Sequence, residues 1–371
     1  MLLRCSAKAD LPFRPSRMLV AERAELVGVL GELGDIALFG LDLRFVSGFN
    51  VKHAITDAAI SPTGGLMALV TESRILLTSV DGRLQGDWEW TSGPHNAGGC
   101  VFSQDGNALF VAGKAGLWVI DTKTAQVVTS DPLAFVKESG FLLRLHPEGE
   151  IVGLWATGGP TETELFWSRL HQGHLVIYET PSVKDTGPPV FHPVGAEFLS
   201  FKNDGALARW QFPNSQESAQ LDPQHVFPAD TSGDPSDGFS EYVYYVSDYR
   251  AVVNTQNGLL YLVDLDSRKL IQQLILERYE PRTVRSTRPT VDHGWVEVEA
   301  QVGPVHSFSF AQPDRLFTIH HDDHSTNSVR LWDASSPLIG SIGTPSAMRP
   351  FTTQLTQIGT VFGDIQRGRE P

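Results

Sequence analysis

Residues 101–121 read Val-Phe-Ser-Gln-Asp-Gly-Asn-Ala-Leu-Phe-Val-Ala-Gly-Lys-Ala-Gly-Leu-Trp-Val-Ile-Asp. An apolar pair leads into Ser103-Gln104-Asp105-Gly106, a second apolar run covers 109–112, and a third covers 117–120 before Asp121. Short apolar runs bounded by Gly and Asp read as strands joined by tight turns, because those residues supply the backbone angles a turn requires. The same opening recurs as Ser61-Pro62-Thr63-Gly64, His146-Pro147-Glu148-Gly149 and His192-Pro193-Val194-Gly195. Successive copies start 42, 43 and 46 residues apart, and weaker ones stand at 247–249 and 312–314.

Two further runs follow each turn. After Ser61 come 66–70 and 75–80, then Asp81-Gly82. After His192 come 197–201, the turn Asn203-Asp204-Gly205, and 207–212. Further on, 251–254, the turn Asn257-Gly258 and 259–263 end in Asp264, while 315–319 and 329–332 end in Asp333. A fourth run often follows, as at 126–129 and 269–276. The unit is four short antiparallel strands in about 40–45 residues, the period of a propeller blade. Such a sheet has two apolar faces, and radial stacking covers both.

The expected fold is all-β, a single β-propeller of seven blades, each of four antiparallel strands. The blades fall at 12–50, 51–93, 94–136, 137–184, 185–226, 240–303 and 304–345. Residues 346–371 form a closing strand or tail, with 351–362 pairing to the first blade. The first blade rests on runs at 17–22, 26–30, 35–41 and 43–49, against a rival amphipathic helix over 16–33.

Val329-Arg330-Leu331-Trp332-Asp333 resembles the end of the third strand of a WD repeat. Ala58-Ala59-Ile60-Ser61-Pro62-Thr63-Gly64 and residues 101–106 resemble its first strand and turn. Val119-Ile120-Asp121-Thr122 is similar to the YVTN-type propeller repeat. The resemblance is to a superfamily and spans roughly 50–340. It implies a propeller used as a protein-interaction scaffold. The Gly-His dipeptide of the WD repeat is largely missing, so its Asp-His-Ser/Thr-Trp network is not expected in most blades. The resemblance also implies that strand 2–3 loops and blade-to-blade connections share one face, the top. Applied here, that mapping places inserts at 157–173, 214–240, 277–303 and 320–328 on the top of neighbouring blades.

Composition excludes several classes. Lys and Arg number 29 against 43 Asp and Glu, a net charge of −14, which repels phosphate backbones and argues against nucleic acid. Apolar runs stay under ten residues, too short to span a membrane, and the first ten residues lack the apolar core of a signal peptide. Two cysteines, Cys5 and Cys100, make neither a disulfide scaffold nor a cysteine zinc site. The expected location is cytoplasmic. No dinucleotide fingerprint, phosphate loop or nucleophile elbow appears, and no cofactor or metal is expected.

The 277–303 insert carries Arg278, Arg282, Arg285 and Arg288 with Trp295. They read either as a clamp for a carboxylate, phosphate or acidic partner segment, or as a solvated loop. Trp167, in another insert, joins them as a partner-binding candidate, since Trp and Arg anchor interfaces. His320-His321-Asp322-Asp323-His324 invites a metal reading, yet alternation along a strand scatters its side chains, and a polar turn is the simpler account. His146 and His192 read as turn caps. The acidic run Asp222, Asp230, Asp234 and Asp237 lacks calcium-loop spacing and reads as a solvated loop.

Two functions are open. One is a non-catalytic interaction module that docks a protein partner on its top face. The other is a hydrolase, lyase or cyclase with a small-molecule pocket at the channel mouth, using His293, His321, His324 and Asp323.

Overall fold

Glycine at a position of positive φ sets each repeat turn. Gly64, Gly106, Gly149 and Gly195 have φ of 72, 72, 83 and 77°, a region that costs other residues strain. In each turn the glycine N–H donates to the carbonyl of the turn-opening Ser61, Ser103, His146 or His192. A computed structural model describes residues 2–89, 98–113, 116–131, 140–149, 151–159, 162–171, 174–177, 183–184, 186–202, 206–221, 239–255, 259–277, 282–290, 294–302, 307–310, 315–321 and 327–333.

The described strands group into four-stranded antiparallel units. The first unit is β2 (Pro15–Ala21), β3 (Leu26–Gly31), β4 (Asp35–Gly40) and β5 (Phe45–Asn50). Residues 15–50 therefore form a four-stranded antiparallel sheet, and the rival helix reduces to a single 3-10 turn, Glu22–Ala24. β6–β9 (Ile55–Ile60, Leu66–Thr71, Arg74–Ser79, Leu84–Glu89) and β10–β13 (Gly99–Phe102, Ala108–Gly113, Gly116–Asp121, Gln126–Asp131) follow. In the next unit, β14 (Gly140–Leu145), β15 (Ile151–Gly159), β16 (Glu162–His171) and β17 (His174–Ile177) gain a short β18 (Val183–Lys184) on β16. Then come β19–β22 (Val190–Phe191, Glu197–Phe201, Leu207–Gln211, Gln216–Leu221) and β23–β26 (Phe239–Ser247, Arg250–Thr255, Leu260–Asp264, Lys269–Leu276). β27 (Arg282–Thr290) and β28 (Gly294–Val302) form a sheet of their own. β29 (Ser307–Phe310), β30 (Arg315–His321) and β31 (Asn327–Asp333) complete the series.

The fourth strand of the last unit is β1, Leu2–Leu11, antiparallel to β31. Ring closure thus falls to the N-terminal segment, which the sequence reading left outside every blade; the 346–371 segment lies outside the described residues. Leu2 and Leu3 also pair in parallel with Ile275 and Leu276 of β26, tying the last two units together.

Among the described residues, seven apolar clusters lie between consecutive units, including one between the last and the first. β11 shows why. Leu109 and Val111 pack toward the second unit, while Phe110 and Ala112 pack toward the fourth. Alternate residues on a strand point to opposite faces, so a strand buried on both sides reads as a continuous apolar run. The result is an all-β, propeller-like ring.

The Asp that ends a third strand caps the following turn. Asp121 Oδ1 accepts from the N–H of Lys123 and Thr124 at 3.0 and 2.7 Å, and Asp264 Oδ1 accepts from that of Ser267 at 2.7 Å. These bonds hold the Asp121 carboxyl below its ordinary pKa. In five units the third-to-fourth-strand turn contains one residue at positive φ: Leu43, Gly82, Ala125, Ser215 and Arg268. A bulge then follows in all five outer strands, at the same distance beyond the turn. Bulged outer edges discourage pairing with another chain.

Two tryptophans repeat one polar contact. Trp332 Nε1 donates to Thr318 Oγ1 at 2.7 Å, and Trp210 Nε1 donates to Ser200 Oγ at 2.8 Å. In both units the acceptor lies two residues beyond the residue paired with the tryptophan, Leu316 or Phe198. His320 Nε2 lies 2.6 Å from Thr318 Oγ1, so a Trp-Thr-His chain is buried in the last unit.

Candidate functional site

The inner strands β2, β6, β10, β14, β19, β23 and β29 each open a unit, and their residues line two cavities. One has a volume of 530 Å³ and is walled by the first four inner strands. The other, of 380 Å³, is walled by β14, β19, β23 and β29. Gln104, Arg144, Leu145 and Ser309 border both, so the two join into one central channel.

A buried ionic node braces the channel wall. Arg17 Nη1 of β2 pairs with Asp57 Oδ1 of β6, and Asp57 Oδ2 accepts from the Cys100 N–H of β10 at 2.8 Å. Asp57 is 1% exposed. A buried carboxylate needs such a partner, because its desolvation is otherwise uncompensated. Beside it, burial and then the Asp57 charge push the Cys100 thiol well above its ordinary pKa. Cys100 is therefore a packed thiol at neutral pH, not a thiolate nucleophile.

At one end of the channel the strand 1–2 turns of neighbouring units touch. Gln104 Nε2 donates to Pro147 O at 3.2 Å, and His146 Nε2 donates to Gly195 O at 2.8 Å. His192 Nε2 lies 3.4 Å from Asp248 Oδ1. His146 and His192 cap their own turns as well, each Nδ1 accepting the N–H two residues on at 3.2 Å. Burial, first among the causes, lowers both imidazole pKa values.

The described sequence-derived site residues divide between the core, the β27–β28 hairpin and the end of β30. Trp167 is fully buried, packed edge-on against Phe198 and Phe212 and tilted against Phe191, and its Nε1 donates to Ser215 Oγ at 3.3 Å. It presents no surface to a partner. The insert assigned to 157–173 lengthens the β15–β16 strand pair instead of widening a loop, and this carries Trp167 into the core. Arg282, Arg285 and Arg288 lie on β27, and Trp295 on β28 opposite Pro289. Alternation divides these arginines: Arg282 and Arg288 hold positions of one parity, while Arg285 holds the other, opposite Glu299. Arg278, His293, Asp323 and His324 lie outside the described residues, as does the 222–237 acidic run; His321 ends β30 opposite Asn327.

Among the described residues no group of three or more His, Cys, Asp or Glu is placed to hold a metal ion, and no helix is long and apolar enough to cross a membrane. No protein-family model matches the chain, and no curated protein matches it.

Proposed function

We propose that the chain is a non-catalytic interaction module, a seven-bladed WD-like propeller that binds a protein partner through the β27–β28 hairpin. The observation that carries this reading is the nine-pair ladder from Arg282↔Val302 to Thr290↔Gly294, which belongs to no blade sheet. It arises between the fourth strand of one unit and the first strand of the next, on the face opposite the strand 1–2 turns. A two-stranded ribbon has two outer edges and two faces, more surface than its own ladder covers. One parity of its register holds Val284, Val296, Val298, Ala300 and Val302 beside Arg282 and Arg288. Valines and arginines sharing one register parity suit a partner segment that is apolar and acidic. A cytoplasmic setting belongs to the reading and accords with Cys5 and Cys100 being free thiols.

The test is affinity capture from the native source with two chains of equal melting temperature. One is wild type, and in the other residues 282–302 are replaced by a short Gly/Ser linker. Proteins held by the first and lost by the second support the reading. An identical set held by both sinks it. The charge reversal Arg282→Glu with Arg288→Glu, on the parity of the valines, is expected to weaken capture at least tenfold with little change in melting.

A further inference from the structure

The central channel is two-sided. Half-buried Leu19, Ala59 and Val101, from the first three inner strands, make an apolar wall of the larger cavity. Arg144, Tyr244 and Ser309, from the fourth, sixth and last units, supply a guanidinium and two hydroxyls on the other side. The charge there opposes that of the whole chain. The described charged residues lining the cavities are Arg17, Glu22, Arg23 and Arg144, in a protein of net charge −14. Arg17 is matched by Asp57, and exposed Glu22 and Arg23 sit together at the strand 1–2 turn of the first unit. Arg144 stands deeper, where the two cavities meet. Its Nη1 donates to Leu143 O at 3.0 Å, which fixes the guanidinium against its own strand. Burial, helped by the Glu22 charge, pushes the Tyr244 phenol up to about 12, so Tyr244 remains a neutral donor at physiological pH.

From this geometry we infer that the channel binds a small organic carboxylate with an apolar body. Arg144 takes the carboxylate, with Tyr244 and Ser309 beside it, and the Leu19, Ala59 and Val101 wall takes the body. Both volumes, 380 and 530 Å³, fall in the range of small-molecule sites. Low-dielectric walls strengthen a single guanidinium's pull on an anion. Inorganic phosphate fits less well, because one cation does not neutralise a dianion and the apolar wall contributes nothing to it. The site is independent of the β27–β28 hairpin, so it stands or falls separately from the proposed partner docking.

Calorimetric titration of the full chain with octanoate, octanol and inorganic phosphate tests the assignment. Octanoate is expected to bind at one per chain, octanol at least tenfold more weakly, and phosphate neither to bind nor to displace octanoate. Arg144→Gln is expected to lower octanoate affinity at least tenfold and leave octanol unchanged. Val101→Phe fills the apolar side and is expected to weaken both. Melting temperatures establish that each variant is folded, and Val101→Phe keeps the test decisive if Arg144→Gln is not. Absence of octanoate binding at millimolar concentration overturns the proposal. So does equal octanoate affinity in wild type and a folded variant, or displacement of octanoate by phosphate.

Discussion

His146 Nε2 lies 2.8 Å from the carbonyl oxygen of Gly195, so a side chain of one unit bolts the turn of the next. Its Nδ1 accepts the Glu148 N–H, which fixes the neutral tautomer with its proton on Nε2. Protonation would set two donors against each other at Nδ1. Phe191 and Phe212 rings flank the imidazole, and Glu148 is the charge beside it. His192 repeats the device against Tyr245 and Asp248, with Glu197 and Arg209 nearby.

Both imidazoles have pKa values depressed below 6.5 by burial. The folded state therefore resists a proton that the unfolded chain accepts. The stability from this source is complete above the unfolded value and is lost as pH falls from there through the folded values. We expect wild type to lose melting temperature between pH 6.5 and 5 more steeply than His146→Gln with His192→Asn. Parallel pH profiles for the two proteins would refute this. At neutral pH, His146→Ala is expected to cost about 1–3 kcal/mol, the range for orphaning a buried polar group.

The belt of turns predicts a contrast between two neighbouring kinds of glycine. A Cβ on Gly106 would lie 2.7 Å from Ser61 Oγ in the preceding unit, at a φ of +72°. Ser61 is fully buried and cannot swing into solvent. Gly65 has no neighbour within 4 Å of a Cβ. Gly106→Ala is expected to destabilise by about 2 kcal/mol, mostly left-handed strain plus the clash. Gly65→Ala should stay within about 0.5 kcal/mol of wild type. Equal denaturation midpoints for the two variants would contradict the turn-on-turn packing.

The third-to-fourth-strand turns predict a stabilising change. Ala125 has a φ of 53° where the matching turn of the preceding unit uses Gly82. Its small, half-exposed side chain contributes little packing. Ala125→Gly relieves about 1–2 kcal/mol of left-handed strain, offset by about 0.5–1 kcal/mol of added backbone freedom in the unfolded chain. A denaturation midpoint raised by about 0.5 kcal/mol equivalent is expected, and a lowered midpoint would count against the strain.

What was legible in the sequence follows from how local each signal is. The turn of residues 103–106 carries its own glycine, and the strands after it are apolar on both faces, so the four-stranded pattern within 12–50, 51–93 and 94–136 is legible, and the structure has four-stranded sheets at 15–50, 55–89 and 99–131. Trp167 was misread because nothing in its own stretch separates a longer strand pair from a longer loop; only the β15–β16 register does. The channel gave no signal, since half-buried Leu19, Ala59 and Val101 look like core in sequence. β1 did leave one: Leu3, Ala7, Ala9 and Leu11 are the more buried positions and Arg4, Lys8 and Asp10 the exposed ones. Its partner β31 lies more than three hundred residues away, as the 325-residue separation of the Ser6–Leu331 bond shows, so no hairpin turn announces the pairing.

That distant pairing makes β1 the clasp of the ring. Leu3 is fully buried, packed with Leu274 and Leu276 of β26 and with Leu316 and Trp332 of the last unit. Its carbonyl accepts the Glu277 N–H at 2.9 Å, so one residue joins both units by side chain and by backbone. Leu3→Ala leaves a cavity at the seam and is expected to cost about 2–5 kcal/mol. Exposed Arg4, one position on, should tolerate Ala with a change of about 0.5 kcal/mol or less. Removing residues 2–11 uncovers the β31 edge and the apolar faces of Leu331 and Val329, an invitation to pair with a second chain. Size-exclusion chromatography of that truncated chain is expected to show oligomers at a lowered denaturation midpoint. A monomer with the wild-type midpoint would mean that the ring closes without β1.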